Sequence, residues 1–313
     1  RMPMNDRTFI ANQIATLRRE VGRGTAINAL SGGVDSAVVT VLAHRALGRQ
    51  LKTIFVDNAL MREGEPQLVV KTFQDLGIPV ELVDARRQFL RALKGLTDPE
   101  EKRQAITDTF YRGVFGKAVK RARATFLLHG TILTDIEETV AGIKRQHNIL
   151  AQLGINPQQA YGYKVLEPLA TLRKDGVRRV AALLGLPASV TRRIPFPGPA
   201  LATRIVGEVT PARLDIVRQA TAIVEAELRR TGAFQYLAVL LNDRATGIRH
   251  GRREFGQIIV VRCIDSTDAR QATVRELPWP TLRRLSRRIT AIPGVNRCVY
   301  DLTPKPPATV EYL

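Results

Sequence analysis

Cysteine, aromatic residues and long apolar runs are scarce in this chain of 313 residues. The two cysteines, Cys263 and Cys298, form no Cys-x-x-Cys pair, so neither a zinc site nor a catalytic disulfide is indicated, and we interpret both as reduced core residues. Aromatic residues make up only 5% of the chain, which weakens any base-stacking surface for single-stranded nucleic acid. No apolar run reaches the roughly 18 residues of a membrane helix and no signal core is recognisable, so we expect a cytoplasmic protein without a membrane partner.

Acidic residues are outnumbered as well, with 29 Asp and Glu against 48 Lys and Arg, which gives a formal net charge of +19. Such an excess favours anionic substrates or nucleic acid as binding partners. The basic residues are spread as short pairs, such as Arg18-Arg19 and Arg287-Arg288, and do not form one tail. We interpret most of them as a solvated surface, and a basic RNA-binding or tRNA-modifying protein stays an alternative hypothesis.

A segment rich in glycine and serine, Ser31-Gly32-Gly33-Val34-Asp35-Ser36, joins a strand-like run at residues 25–30 to a helical pattern. Glycine lets the backbone approach an anion, serine adds hydroxyl donors, and a helix N-terminus presents N–H groups and a positive dipole end. The segment therefore predicts a phosphate-binding loop. It differs from the nucleoside-triphosphatase loop, because the Gly116-Lys117 pair of this chain precedes alanine instead of Ser or Thr.

Strand-like and helical segments alternate through the first half of the chain, which predicts an α/β fold with a doubly wound parallel sheet. Such sheets bind ligands at the carboxyl ends of their strands, so the loop, Asp57-Asn58 and Gly130-Thr131 are predicted to share one rim. The proline-rich segment 194–199 cannot form regular helix or a central strand. We therefore predict two domains, residues 1–194 and a smaller α+β domain at residues 195–313, with a last strand at 309–312.

The loop resembles the pyrophosphate loop of the N-type ATP pyrophosphatases, which have an adenine nucleotide alpha hydrolase-like fold. Five further segments are informative, namely Phe55–Arg62, Thr97–Arg103, Pro195–Leu201, Arg204–Val209 and Asp301–Glu311. They resemble GMP synthetase, and the resemblance runs from near residue 5 to residue 313. The resemblance implies ATP-dependent amination of XMP to GMP, in which ATP adenylates the C2 oxygen of xanthine, pyrophosphate leaves, and ammonia displaces AMP.

The chain contains no Gly-x-Cys-x-Gly elbow of a glutaminase. It therefore resembles the synthetase (ATP pyrophosphatase) subunit of the two-subunit form, which would receive ammonia from a separate glutaminase. The resemblance also implies that the second domain forms a homodimer.

Residue roles follow from matching these motifs and from the chemistry of the side chains. The residues expected to bind ATP are Ser31, Gly32, Gly33, Val34, Asp35, Ser36, Val56, Gly130 and Thr131. Those expected to bind the acceptor nucleotide are Lys144, His147, Pro197, Gly198, Pro199, Lys305, Val310 and Glu311. Asp35 and Lys174 are the expected catalytic residues. Asp35 and Asp135 are the expected ligands of Mg²⁺, which prefers carboxylate, water and phosphate oxygens.

Outside the loop the sequence departs from the GMP synthetase pattern. A usual glutamine is replaced by His129, a usual glutamate by Gly176, and usual glycines by Ala200 and His250. The lid segment at residues 143–148 lacks one usual serine and one usual histidine. These departures leave open a paralogue that applies the same adenylation chemistry to a different purine nucleotide or nucleophile.

Overall fold

The computed structural model describes residues 5–133, 135–136, 156, 162–191, 193–194, 196–267 and 269–313. The chain divides into two compact units. The first unit comprises Arg1–Asp57, Pro66–Asp84 and Phe110–Arg193, and the second comprises Asn58–Glu65, Ala85–Thr109 and Ile194–Leu313. The second unit thus includes two segments from the first half of the chain, and the domain boundary between residues 194 and 195 stays a prediction.

The helices of the described residues are α1 (Asp6–Val21), α2 (Val34–Leu47), α3 (Glu65–Asp75), α4 (Arg86–Leu93), α5 (Pro99–Asp108), α6 (Gly116–Ala122), α7 (Lys174–Leu183), α8 (Ala188–Thr191), α9 (Pro211–Leu228) and α10 (Trp279–Thr290). The strands are β1 (Ala26–Leu30), β2 (Leu51–Asp57), β3 (Glu81–Asp84), β4 (Phe126–Leu128), β5 (Lys164–Leu166), β6 (Gln235–Arg249), β7 (Arg252–Asp265), β8 (Thr273–Val274) and β9 (Val295–Tyr300). Short 3₁₀ helices span Gly48–Gln50 and Ala200–Arg204, and a π-helix spans Thr109–Phe115. In this part of the chain, no helix has the length and apolar character needed to cross a bilayer.

The first unit contains a five-stranded sheet with the order β3-β2-β1-β4-β5, in which every neighbouring pair is parallel. β1 and β2 are buried along nearly their whole length, as expected for strands covered on both faces. Helices flank the sheet, which confirms the prediction of a doubly wound parallel fold. The strand order reverses between β1 and β4, so the crevice at their carboxyl ends is the topological switch point where such folds bind ligands.

A chain of buried hydrogen bonds fixes the start of α2 against the sheet. Asn28 of β1 accepts a hydrogen bond from Thr53 of β2 at 2.8 Å and donates one to Thr40 of α2 at 2.6 Å. The Thr40 hydroxyl donates in turn to the carbonyl oxygen of Ser36 at 2.7 Å. Because a buried polar group is costly without its partner, this chain opposes sliding of α2 along β1. It thereby sets the position of the loop that joins them.

The second unit contains a four-stranded sheet in which β7 pairs antiparallel with β6 and β8 and parallel with β9. Helices α9 and α10 pack against it. Leu237, Val239 and Val260 form part of the core on these strands. The unit is the predicted smaller α+β fold that follows the parallel sheet.

The strand predicted at residues 309–312 is wrong, because these residues form loop and bends. Their alternation, Thr309-Val310-Glu311-Tyr312, is typical of a strand. In the structure the Thr309 carbonyl accepts a hydrogen bond from the Arg262 side chain at 2.8 Å. The Arg262 side chain thus bonds to the carbonyl oxygen that would otherwise accept a backbone hydrogen bond from a neighbouring strand.

Two departures from the GMP synthetase pattern lie at residues with left-handed backbone. Ala200 has φ 54°, and His250 has φ 51° in the β6–β7 turn, which Gly251 continues with φ 74°. A residue with a Cβ atom loses about 1–2 kcal/mol in this conformation, whereas glycine does not. The conformation therefore accounts for the glycine that is usual at both positions.

Candidate active site

The loop Ser31–Ser36 joins β1 to α2 at the switch point of the sheet. Gly32 has φ 80°, a left-handed conformation that glycine adopts without steric penalty. The first backbone bond of the helix runs from Ala37 N to Gly33 O at 3.1 Å, so the N–H groups of residues 34–36 precede it. These N–H groups and the helix dipole favour an anion at the start of α2.

The two serines of the loop bond to each other and to its backbone. Ser36 Oγ accepts from Ser31 N and donates to Gly33 O, each at 3.1 Å, and the two hydroxyl oxygens lie 2.9 Å apart. Gly33 N donates to Ser31 Oγ at 3.3 Å. In this structure the hydroxyls therefore shape the loop, and their direct donation to phosphate stays a prediction.

Gly130 follows β4 and lies beside the start of α2. A Cβ atom built on Gly130 would lie 3.4 Å from Ser36 N and 3.5 Å from the carbonyl carbon of Asp35. These are ordinary van der Waals distances, so Gly130 lies within direct contact range of the helix start. The structure thus brings the residues after β4 to the loop, in agreement with the prediction that both lie on one rim of the sheet.

Thr131 forms a hydrogen-bonded group with Glu167, a residue that the sequence analysis did not assign, and with His129. The Thr131 hydroxyl donates to Glu167 Oε1 at 2.8 Å and lies 3.0 Å from His129 Nδ1. Because the single hydroxyl proton goes to the carboxylate, Thr131 accepts from the imidazole N–H. Glu167 directly follows β5, and this place at the carboxyl end of a strand is the signal that could have found it.

Asp35 and Lys174, the two predicted catalytic residues, form an ion pair. Lys174 Nζ lies 2.6 Å from Asp35 Oδ2, and the side chains are 45% and 28% exposed, respectively. Lys174 is the first residue of α7, which packs against α2. Packing of these two helices therefore places an ammonium group beside the phosphate loop.

The second carboxylate oxygen of Asp35, Oδ1, is buried and has no hydrogen-bond partner in the structure. Such an oxygen suits Mg²⁺, which binds proteins through one or two carboxylates together with phosphate and water oxygens. Asp135 Oδ2 accepts from Ile132 N at 3.1 Å. Within the residues that the structure describes, no group of three or more His, Cys, Asp or Glu is placed to hold a metal. The residues therefore fit a Mg²⁺ ion that is shared with a phosphate ligand.

The structure gives less information about the remaining residues that were predicted to bind ATP or to lie on the lid. Val56 is the next-to-last residue of β2 and its side chain is buried, so its predicted contact with adenine rests on its backbone. Val34 is likewise buried at the start of α2. Lys144 and His147 lie outside the described residues.

In the second unit, two side chains hold the predicted acceptor residue Glu311. Arg204 donates from Nε to Oε2 at 3.1 Å and from Nη2 to Oε1 at 3.0 Å. Gln235 Nε2 donates to Oε1 at 3.0 Å. The ring of Phe196, in the proline-rich motif, lies 4.9 Å from Arg204 Cζ and 4.3 Å from Arg62 Cζ. Arg204 therefore joins the C-terminal segment to the proline-rich motif.

The other predicted acceptor residues that the structure describes also belong to the second unit, namely Pro197, Gly198, Pro199, Lys305 and Val310. Lys305 Nζ donates to Ala269 O at 2.6 Å, and its backbone pairs with Ala272. Arg262 fixes the segment around Lys305, since it donates to Asp301 Oδ2 at 3.0 Å and to Thr303 O at 2.6 Å. The structure thus places Lys305 on an anchored segment.

Lys102, in the motif Thr97–Arg103, supports the chain that follows the proline-rich motif. Its buried ammonium group donates to the carbonyl oxygens of Ile205 at 2.7 Å and Gly207 at 3.0 Å. Burial, and after it the positive charge of Arg213, lowers the pKa of Lys102 to about 8.

We expect Lys102 to make the free energy of unfolding increase with pH between about 8 and its unfolded pKa of 10.5. In this window the folded protein binds fewer protons at this group than the unfolded chain, so each rise in pH favours the folded state. The gain should reach about 3 kcal/mol at most. Urea unfolding of the wild type and of Lys102→Met across this window measures it, because the variant removes this group alone. A difference between the two proteins that does not change with pH would contradict the expectation.

Comparisons with known proteins identify the family of the chain. Residues 8–201 match the family model described as NAD synthase, and residues 221–312 match the one described as GMP synthase C terminal domain. A subunit of the glutamine-hydrolyzing GMP synthase of Archaeoglobus fulgidus is 48% identical over 311 residues, which cover 99% of this chain and 100% of the relative. The chain belongs to this GMP synthase subunit family. The resemblance to GMP synthetase that the motifs indicated is therefore confirmed.

Other members of the GMP synthase subunit family match over a similar length. The protein of Thermococcus kodakarensis is 46% identical over 308 residues, which cover 97% of this chain and 98% of the relative. That of Methanopyrus kandleri is 44% identical over 313 residues, again with 97% and 98% covered. The part that matches NAD synthase contains the loop and Lys174, and the part that matches the GMP synthase C terminal domain contains Gln235, Lys305 and Glu311.

Proposed function

We propose that this chain catalyses the ATP-dependent amination of XMP to GMP. The C2 oxygen of xanthine attacks the α-phosphorus of ATP, pyrophosphate leaves, and ammonia then displaces AMP from C2. The observation that carries the proposal is the anion site at the start of α2 with its Asp35–Lys174 pair, in a chain of the GMP synthase subunit family. A fold of this class supports several reactions. Membership of the family therefore supports XMP as the acceptor, and the geometry of the site supports the adenylation step.

In this proposal the first unit binds the triphosphate. The N–H groups at the start of α2 and the Lys174 ammonium group hold the β and γ phosphates, whose charge grows as pyrophosphate leaves. Asp35 and Asp135 hold Mg²⁺, which when bound neutralises part of the phosphate charge. Before ATP binds, Lys174 balances the charge of Asp35.

The second unit binds the acceptor in this proposal. Lys305 supplies a positive charge for the phosphate of the nucleotide, and Pro197, Gly198 and Pro199 are further proposed contacts of this nucleotide. Val310 and Glu311 contact the base, and the two hydrogen bonds from Arg204 hold the Glu311 carboxylate in place. Lys144 and His147, which were predicted from the sequence alone, remain proposed acceptor ligands.

The partners of the proposal are a separate glutaminase, which supplies ammonia, and a second copy of the chain. The names of the relatives describe them as one subunit of a glutamine-hydrolyzing enzyme. For the homodimer, support comes from apolar side chains on the β6–β7 hairpin, where Ile248 is 79% and Phe255 61% exposed. Exposed apolar groups of this size are typical of protein interfaces. The cytoplasm is the proposed location.

Purified chain given ATP, Mg²⁺, XMP and an ammonium salt is expected to form GMP, AMP and pyrophosphate in equal amounts. Chromatography of the nucleotides and a coupled pyrophosphate assay measure the three products, and omission of XMP is the control. A panel of nucleoside monophosphates in place of XMP tests the alternative acceptor. Pyrophosphate release with another nucleotide, but none with XMP, would contradict the proposal and favour the paralogue.

A nucleophile on the chain itself is disfavoured by the state of its two thiols. Burial raises the pKa of both Cys263 and Cys298 to about 11, so both are protonated at neutral pH. Both cysteines also belong to the second unit, whereas the phosphate loop belongs to the first. Thiol chemistry at the loop, as in a tRNA-thiolating enzyme, therefore has no support.

A further inference from the structure

Arg193 contacts the phosphate loop directly, although no motif assigned it to the site. Its side chain is half-buried, and Nη1 donates to the carbonyl oxygen of Gly32 at 2.8 Å. Arg193 is the last residue of the first unit, and Gly32 belongs to the same unit. A guanidinium group that bonds to the backbone of a phosphate-binding loop can control which of its groups face the ligand.

The geometry of the peptide group shows what this contact does. The Gly32 carbonyl and the Gly33 N–H belong to one trans planar peptide, so they point in opposite directions. In the structure the carbonyl points to Arg193, and the N–H points to Ser31 Oγ at 3.3 Å, within the loop. Holding the carbonyl oxygen therefore also fixes the direction of the N–H group.

Without the Arg193 contact, this peptide would be held less firmly, by the longer bond from Gly33 N to Ser31 Oγ at 3.3 Å. Turning it over requires rotation about ψ of Gly32 and φ of Gly33, and glycine at both positions leaves these rotations without a Cβ obstacle. The turned peptide would direct a carbonyl oxygen, with its partial negative charge, into the loop where the phosphate oxygens are proposed to bind. The Gly33 N–H would turn out of the loop at the same time.

We propose that Arg193 is a positioning residue for ATP binding, which keeps the Gly32 carbonyl oxygen turned out of the phosphate loop and the Gly33 N–H turned into it. The inference rests on the proposed function, since it concerns the same phosphate loop. It adds a residue outside the loop that determines how strongly the loop binds ATP. It also assigns a role to a residue directly before the proline-rich motif.

The test compares Arg193→Met and Arg193→Lys with the wild type and with Arg7→Met, which removes an exposed arginine of α1. Calorimetry with ATP and Mg²⁺, without acceptor, gives the Kd, and pyrophosphate release with saturating acceptor and ammonium gives KM and kcat. Arg193→Met should raise Kd and KM for ATP by about 10-fold to 100-fold, the usual effect of losing a hydrogen bond to a charged group. Arg193→Lys should recover part of this loss, because lysine still donates to a carbonyl. Arg7→Met should match the wild type.

A merely structural role predicts a different result. Partial unfolding lowers the active fraction, and therefore kcat, while KM for ATP stays constant. A Kd for Arg193→Met within about two-fold of the wild type would overturn the inference, as would an equal loss in Arg7→Met. If Arg193→Met does not fold, Arg193→Lys decides: an ATP affinity weakened by several-fold at unchanged melting temperature supports the inference, and wild-type affinity contradicts it. ATP binding with no turnover of XMP would refute the proposed acceptor and leave the role of Arg193 to be judged from Kd.

Discussion

Asp35→Asn is expected to lower pyrophosphate release by at least about 100-fold without loss of the fold. Asparagine has the shape of aspartate but carries no charge, so it binds Mg²⁺ weakly and leaves the Lys174 ammonium group without its partner. The buried and unbonded Oδ1 of Asp35 indicates that the carboxylate is arranged for a ligand and not for the fold. Pyrophosphate release with ATP, Mg²⁺, XMP and ammonium measures the loss.

Stability should change little in this variant. The Asp35–Lys174 pair is partly exposed, at 28% and 45%, and ion pairs of this kind contribute about 1 kcal/mol or less. A melting temperature near that of the wild type would therefore separate lost chemistry from lost fold. Asp75→Asn is the matched control, because Asp75 is exposed at the end of α3 and should leave turnover unchanged. Near-normal turnover of Asp35→Asn would show that the metal site is assigned to the wrong residue.

The parts of this site that could be predicted from sequence are those encoded within a few consecutive residues. The glycines of Ser31–Ser36 and their place between a strand and a helix determine the loop, and strand ends on one rim bring Gly130 to it. The Asp35–Lys174 pair spans 139 positions, so only resemblance to a family pointed to Lys174. Arg193 and Glu167 were missed, because their contacts depend on packing of distant segments and not on a local pattern.

In the fold, too, the features encoded by neighbouring residues were predicted, and those that depend on distant contacts were not. Buried apolar strands that alternate with helices predicted the parallel sheet, because this pattern depends on residues close in sequence. The alternation of apolar and polar residues also predicted a strand at 309–312. That prediction was wrong, because the Thr309 carbonyl bonds to the distant Arg262 side chain and not to a neighbouring strand. The segments Asn58–Glu65 and Ala85–Thr109 join the second unit, which no local pattern indicates. A helical pattern shows which face is apolar, but not which core will cover it.

Arg204→Met is expected to destabilise the second unit by about 3–5 kcal/mol. The Arg204 side chain is 1% exposed and its partner Glu311 is 19% exposed. Removal of the arginine therefore leaves a largely buried carboxylate, to which Gln235 is the one remaining side-chain donor among the residues that the structure describes. The contact of the guanidinium group with Phe196 is lost as well. Urea unfolding of the wild type and the variant measures the effect. Arg284→Met is the control, since Arg284 is 47% exposed beside Glu227 and its loss should change stability by less than about 1 kcal/mol.

A double-mutant cycle with Glu311→Gln shows whether the loss comes from the unpaired charge. If it does, Glu311→Gln added to Arg204→Met should restore about 2 kcal/mol, because a neutral amide needs less compensation than a carboxylate. Additive losses would contradict this account and indicate that the Arg204 side chain acts mainly through packing. The single variant Glu311→Gln keeps the shape of the segment, so its KM for the acceptor nucleotide reports on the charge. An increase in that KM at nearly unchanged KM for ATP is expected, since Glu311 is proposed to contact the acceptor nucleotide and is not part of the phosphate loop.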